Sequence, residues 1–314
     1  MELDILVNAG LTVVGLVMLC YGGNWLVNGG VAIAKKLRIS NIVIGMTVVA
    51  YGTSTPELAA SIAATGEHSD IILGNIIGSN IANIGMVIGV AAIMLPLVVK
   101  QTTLKKEMPI MIGFSLLLIG LSVDGEVSQY DGFLLIGLLI VFTIYTYHNA
   151  RSKRDENDND APPEKNNVYL RALGLMGIGA ALLYFGAELA INNVVTIAQT
   201  LHISERIIGL TVIAIGTSLP ELITSVIAIR KGYADIGIGN IIGSNIYNIL
   251  MIMGVSSAIA GVVISDQVFV DYAIMIAFSF GLLFAMTKGI IGKKIGAGLV
   301  ASYVLYLVSG FLLN

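Results

Sequence analysis

Residues 37–57 read LRISNIVIGMTVVAYGTSTPE and residues 201–221 read LHISERIIGLTVIAIGTSLPE; at an offset of 164 the two stretches agree at 13 of 21 positions. A second block follows each. Residues 70–84, DIILGNIIGSNIANI, align with 235–249, DIGIGNIIGSNIYNI, at an offset of 165, with 12 of 15 identical. The chain therefore carries one pattern twice, and each copy places a glutamate, Glu57 or Glu221, behind a proline in an otherwise apolar run.

The surroundings say what kind of solvent those runs expect. Of 314 residues, 56% are hydrophobic and 12% charged, and the mean hydropathy is +0.89, which is too apolar for an ordinary soluble domain. Apolar stretches long enough to cross a bilayer, roughly 20 residues each, follow one another at 4–34, 41–65, 70–97, 107–123, 130–148, 169–199, 206–229, 235–263, 269–287 and 295–313. The first starts with Glu2 and Asp4 where a signal peptide would carry basic residues, so it is expected to be a retained helix. Cys20, the single cysteine, excludes an intrachain disulfide and a cysteine-based metal site.

Assigning loops alternately to two sides places sixteen of the seventeen basic residues, from Lys35 and Lys36 through Arg151, Lys153 and Arg154 to Lys293 and Lys294, on one side. The other side receives only Arg206. By the positive-inside rule the basic side is cytoplasmic and both termini are outside. The sequence thus predicts an all-α integral membrane protein of ten transmembrane helices, with a first five-helix repeat at 1–148, a polar cytoplasmic linker at 149–168 and a second repeat at 169–314. Five is odd, so the second copy enters from the opposite face and the repeats are inverted, an architecture recurrent in secondary transporters. The linker's acidic run, Asp155 to Asp160, lacks the glycine and the final glutamate of an EF-hand loop and reads as a solvated tether. A net charge of −3 gives no reason to expect nucleic acid.

The chemistry lies in the repeated blocks. An ionised carboxylate at the bilayer centre costs about 2.5 to 3.5 kcal/mol on insertion scales, and no Lys or Arg lies in the interior of a span to offset it, Arg171 and Arg206 standing at span ends. A bound cation or a titrating proton accounts for Glu57 and Glu221 better than inert filler. Pro56 and Pro220 cannot donate to the carbonyls of Gly52 and Gly216, so each helix is expected to be interrupted just before its glutamate. Helical spacing sets Ala50, Thr53 and Ser54 near Glu57, and Ala214, Thr217 and Ser218 near Glu221. In the second block Asn75, Ser79 and Asn83, repeated as Asn240, Ser244 and Asn248, form an oxygen-bearing stripe. Gly74 and Gly78, like Gly239 and Gly243, have the spacing that admits a neighbouring helix. Asp70 and Asp235 are read as helix N-caps, and Glu188 as a packing, interfacial or gating acid. Carboxylates, hydroxyls and amides without His or Cys make a hard-cation site. Two negative charges suit one Ca2+, and the same oxygens could hold several Na+.

GTSTPEL with GNIIGSNIANI, repeated as GTSLPEL with GNIIGSNIYNI, closely resembles the two α-repeats of the cation/Ca2+ exchanger superfamily, and the whole chain is similar to a prokaryotic Na+/Ca2+ exchanger. The resemblance implies an antiporter working by alternating access, the long first and sixth helices sliding past a central group that holds the ions. It implies Ca2+ and Na+ binding by Glu57 and Glu221, helped by the carbonyls of Thr53 and Thr217. The Na+ positions would be completed by Ser54, Ser218, Ser79 and Ser244, with carbonyls of Ala50 and Ala214, and the remaining site residues would be Asn83 and Asn248. Several relatives, K+-dependent ones among them, carry aspartate at the latter, so K+ dependence is not expected here. Ca2+ and Na+ enter as transported substrates in a lipid bilayer; no cofactor and no enzymatic activity are expected, and a functional monomer in the plasma membrane is. A H+/Ca2+ antiporter remains the alternative, because a glutamate in low dielectric can carry a proton, and a cation channel a more distant one.

Overall fold

The computed structural model describes residues 2–37, 39–66, 69–152, 168–201 and 214–313. They are mostly helical. The helices are α1 (Glu2–Leu37), α2 (Asn41–Thr53), α3 (Thr55–Ala64), α4 (Ser69–Met94), α5 (Met108–Leu121), α6 (Gln129–Ser152), α7 (Val168–Thr200), α8 (Ala214–Thr217), α9 (Leu219–Arg230), α10 (Ala234–Ala260), α11 (Val268–Met286) and α12 (Lys293–Leu313). Six of these, within 4–37, 69–94, 129–148, 169–200, 234–260 and 268–286, are long and apolar enough to cross a membrane. The other stretches read as spans fall on α2 with α3, on α5, on α8 with α9, and on α12. Residues 206–213 of one span and 153–167 of the linker lie outside the described residues.

Burial is distributed as a bilayer protein requires. The most apolar windows of α4 and α10 are 83% and 100% buried, whereas that of α1 is 17% buried. Leu6, Leu170, Phe284 and Leu305 stand among the large exposed apolar side chains. On a soluble monomer so much exposed apolar surface would be a liability; facing hydrocarbon it costs nothing. The centre can be polar because most of its groups bond one another, which lipid favours for buried polar atoms.

Among the described residues four π-helical turns break the α geometry: Thr103–Glu107 leading into α5, Gly45–Val49 in α2, Asn83–Ile88 in α4 and Asn248–Met253 in α10. The last two begin on equivalent asparagines of the repeat. Such turns concentrate at functional sites because the extra residue re-aims the following side chains.

Among the described residues, helices α1 and α7 make the most extensive helix–helix contact. Glycines make it possible. A Cβ on Gly22 would lie 2.8 Å from the Gly179 carbonyl oxygen and one on Gly179 2.8 Å from that of Gly22; Gly15 meets Gly186 and Ala190, and Gly29 meets Ala172, in the same way. Gly15, Gly22 and Gly29 recur every seven residues, so the seam runs along one face of α1. Toward the cytoplasmic end expected from the charge pattern, Lys231, in the turn after α9, donates to Oδ1 of Asn24 and, at 2.6 Å, to Oδ1 of Asn28 on α1. Partial desolvation draws the Lys231 ammonium below the usual lysine pKa.

Two short antiparallel strand pairs also join the halves. β1 (Leu97–Val98) pairs with β4 (Ile290–Ile291), Leu97 opposite Ile291; β2 (Glu126–Val127) pairs with β3 (Val262–Val263), Val127 opposite Val262.

Two local expectations are corrected. Asp235 is not an N-cap: Tyr233 occupies that position, and Asp235 sits in the first turn of α10, paired with Lys100 at 2.6 Å. Asp70 likewise lies inside the first turn of α4, accepting from Ser265 at 3.5 Å. The glycine pair of α10 packs as foreseen, with added Cβ atoms 2.6 Å from the carbonyls of Ile42 and Met46, but among the described residues nothing lies within 4 Å of Cβ atoms on Gly74 or Gly78. The segment equivalent to Ile42–Met46 is 206–210, outside the described residues.

Candidate functional site

The site is built where two helices stop and restart. At Ser54 (φ −84°, ψ 7°) the chain leaves helical geometry between α2 and α3, and at Ser218 (φ −90°, ψ 4°) between α8 and α9. The break falls two residues before each proline, so Pro56 and Pro220 occupy the opening turn of the second helix, where a missing N–H is harmless. In the first copy Thr55 donates to the carbonyl of Tyr51 across the break; Leu219 cannot do the same. Glu57 and Glu221 each project from the first turn beyond a break.

Glu57 and Glu221 are each 1% exposed, and Thr53, Ser54, Ala50, Ser218, Ser79, Ser244, Asn83 and Asn248 are equally buried. Thr217 is half-buried and Ala214 opens α8. The two copies interlock. Ser54, from the first half, donates to Oε1 of Glu221 at 3.2 Å, and Ser244 reaches the same oxygen at 3.4 Å. The Thr53 hydroxyl lies 3.4 Å from that of Ser244 and 3.1 Å from Oδ1 of Asn240. The carboxyls of Glu57 and Glu221 are near enough to act on each other electrostatically.

A second layer holds this one in place. Asn75 donates to the main-chain carbonyl of Glu57 at 3.0 Å and to Ser61 at 2.9 Å; Asn240 donates to Ser225 at 3.0 Å. Asn83 donates to Oδ1 of Asn245, and Asn248 to Oδ1 of Asn80, both at 3.0 Å. Sequence reasoning placed Asn75 and Asn240 on the polar stripe but passed over Ser61, Ser225, Asn80 and Asn245. The signal for the last two was present, since GSN stands in both copies, but they sit one residue off the i, i+4 stripe.

Five buried oxygens of this network have no hydrogen-bond partner among the described residues: Oε2 of Glu57, Oε2 of Glu221, Oγ of Ser218, Oδ1 of Asn83 and Oδ1 of Asn248. Such atoms are rare in folded proteins because each costs about 1 to 3 kcal/mol. Among the described residues no three His, Cys, Asp or Glu side chains come together, so the donor set is two carboxylates among neutral oxygens. That set fits hard cations, for which oxygens are the preferred ligands.

The family model described as "Sodium/calcium exchanger protein" matches residues 7–148 and again 171–312. The chain is 33% identical over 312 residues to inner membrane protein YrbG of Escherichia coli, covering 96% of each. It is also 33% identical to sodium/calcium exchanger MaX1 of Methanosarcina acetivorans, covering 97% of this chain and 98% of that one. Among solved structures, the sodium-calcium exchanger NCX_Mj superimposes with a TM-score of 0.85 at 34% identity, over 97% of this chain and 99% of that one.

Proposed function

This chain belongs to the sodium/calcium exchanger protein family, and from that premise we propose that it is a secondary active antiporter exchanging Na+ for Ca2+ by alternating access. One observation carries the reading at the level of residues: two glutamates from different halves share a buried oxygen network in which five oxygens have no hydrogen-bond partner among the described residues. Ca2+ takes six to eight oxygens in flexible geometry, and Glu57 and Glu221 would supply the charge that balances it. Thr53, Thr217, Ser54, Ser218, Ser79, Ser244, Asn83 and Asn248, with the carbonyls of Ala50 and Ala214, are the neutral oxygens assigned to Ca2+ and Na+. Both cations draw on the same atoms, so each displaces the other. That competition is the minimum requirement for exchange.

Ten spans in two inverted units, 1–148 and 169–314, joined by the linker 149–168, complete the proposal. The family model's two matched stretches support it. So do the strand pairs: a shift of 164 or 165 residues carries β1 onto β3 and β2 onto β4, exchanging one pair for the other. With α5 crossing the bilayer between β1 and β2, the two pairs fall on opposite faces, as an axis in the membrane plane requires. The charge partition puts the linker in the cytoplasm and both termini outside a plasma membrane. All the assigned ligands come from one chain, so a monomer suffices.

The test is tracer Ca2+ uptake into proteoliposomes loaded with Na+, K+ or acid and diluted into Na+-free medium. Uptake that requires internal Na+ and is lost in Glu57→Gln and Glu221→Gln is the expected result. Uptake driven by a proton gradient alone would replace Na+ with H+ as the coupling ion, and equal uptake in every condition would sink antiport in favour of a channel.

A further inference from the structure

An asparagine side chain presents a cation with either an oxygen, which attracts it, or an NH2 group, which repels it. The two ends are nearly the same shape, so something must decide which end faces the ion. At Asn83 and Asn248 the structure contains the decision. The chain of constraint starts from atoms that can only accept. Nδ2 of Asn80 donates to the main-chain carbonyl of Asn245 at 3.4 Å and to the thioether sulfur of Met275 at 3.6 Å. Nδ2 of Asn245 donates to the main-chain carbonyl of Asn80 at 3.4 Å and to the sulfur of Met111 at 3.6 Å. Neither a carbonyl nor a thioether can donate, so both amides are fixed with their nitrogens toward these groups and their oxygens away. Oδ1 of Asn245 then accepts only an N–H, and Nδ2 of Asn83 supplies it at 3.0 Å; Oδ1 of Asn80 receives Nδ2 of Asn248 in the same way. The remaining ends, Oδ1 of Asn83 and Oδ1 of Asn248, are buried without a hydrogen-bond partner among the described residues.

We propose that Asn80 and Asn245 are positioning residues for ion exchange: a crossed amide brace between α4 and α10 that fixes Asn83 and Asn248 with their oxygens, not their nitrogens, free for the transported cation. The proposal rests on the exchanger reading above and goes beyond it, because neither Asn80 nor Asn245 belongs to the assigned ligand set. Each half orients the other half's ligand. Asn80 of the first copy sets Asn248 of the second, and Asn245 of the second sets Asn83 of the first. A flipped Asn83 would place Nδ2 where a ligand oxygen is needed and two oxygens face to face at Asn245.

The crossing gives the test its discriminating power. Purified full-length protein is titrated with CaCl2, and separately with NaCl, and the half-saturating concentration is read from cation-induced thermal stabilisation; uptake into proteoliposomes gives KM and kcat. Asn245→Ala and Asn80→Ala are each expected to raise half-saturation and KM roughly tenfold, about the worth of one buried hydrogen bond, with a smaller effect on kcat. In double-mutant cycles Asn245→Ala should add little once Asn83→Ala is present but act in full beside Asn248→Ala. Asn80→Ala should show the opposite pairing, coupled to Asn248→Ala and not to Asn83→Ala. A residue that merely fills the core would couple to neither partner selectively. Asn80→Ser and Asn245→Ser, which leave a small polar group in the core, carry the same cycles where an alanine variant does not fold. Unchanged half-saturation in the variants, or coupling without the crossed pattern, overturns the brace while leaving the exchanger reading intact. Wild-type protein that neither cation stabilises overturns both.

Discussion

Gly22→Ala puts the close packing of α1 on α7 to a quantitative test. At an exposed helical position this change stabilises by about 0.8 to 1 kcal/mol, because glycine carries more backbone entropy in the unfolded chain. At Gly22 the new Cβ would stand 2.8 Å from the Gly179 carbonyl oxygen and 2.9 Å from the Leu183 nitrogen. A carbon and a carbonyl oxygen sit comfortably at about 3.3 Å or beyond, so the helices must separate by about 0.5 Å, a gap that forfeits roughly a quarter of each dispersion well along the contact. Overpacking of this kind costs about 1 to 3 kcal/mol. The net is a destabilisation of up to about 2 kcal/mol after the propensity gain. Gly177→Ala, on the partner helix α7, is the control, since among the described residues nothing lies within 4 Å of a Cβ there, and it should raise the unfolding temperature. Gly22→Ala with Gly179→Ala should cost less than the sum, because one separation relieves both clashes. The assay is thermal unfolding of the detergent-solubilised protein. Gly22→Ala as stable as Gly177→Ala would refute the seam.

Three further outcomes are expected. Ser54→Ala removes the hydroxyl that donates to Glu221; a bond to a charged acceptor is worth about 1.5 to 3 kcal/mol, so the half-saturating Na+ concentration in flux assays should rise about tenfold or more, and an unchanged value would remove Ser54 from the site. Lys231→Met releases Asn24 and Asn28, loosening the end of α1 by about 1 kcal/mol; amide hydrogen exchange in residues 24–37 should quicken while that of α10 stays constant. Gly261→Ala forces a side chain onto a backbone at φ +70° and against the Glu126 carboxylate, whereas Gly289→Ala, at φ +73°, meets nothing within 4 Å among the described residues. Both should lower the unfolding temperature by the strain of about 1 to 2 kcal/mol, Gly261→Ala by more.

The sequence disclosed the membrane class and the repeat because both are written in long, regular signals, a run of apolar residues and two blocks recurring at one offset. The glutamates stood out for the same reason: a charge in hydrocarbon has few innocent explanations. What escaped was set by geometry at the scale of one residue. The break at Ser54, two residues before Pro56, follows from φ and ψ at a single position. Asn80 and Asn245 lie off the stripe drawn by an ideal 3.6-residue helix, and each finds its partners on the other copy, which no local pattern records. Asp235 was read as a cap from its place in sequence, but its partner Lys100 arrives from another element. The four strands, two residues each, are too short for alternation to show.

The strand pairs carry a consequence for how the protein is made. Each takes one strand from either half, so when a ribosome has delivered α1 to α6 into the membrane, β1 and β2 have no partners and will have none until Val262 and Ile290 emerge. The polar faces of α2 and α4 are in the same position, awaiting Asn240, Ser244 and Asn245. The first half is therefore made before its contacts with the second can form, and a chain truncated after α6 would lack Glu221, Ser244 and Asn245, which complete the buried network around Ser54, Thr53 and Asn83.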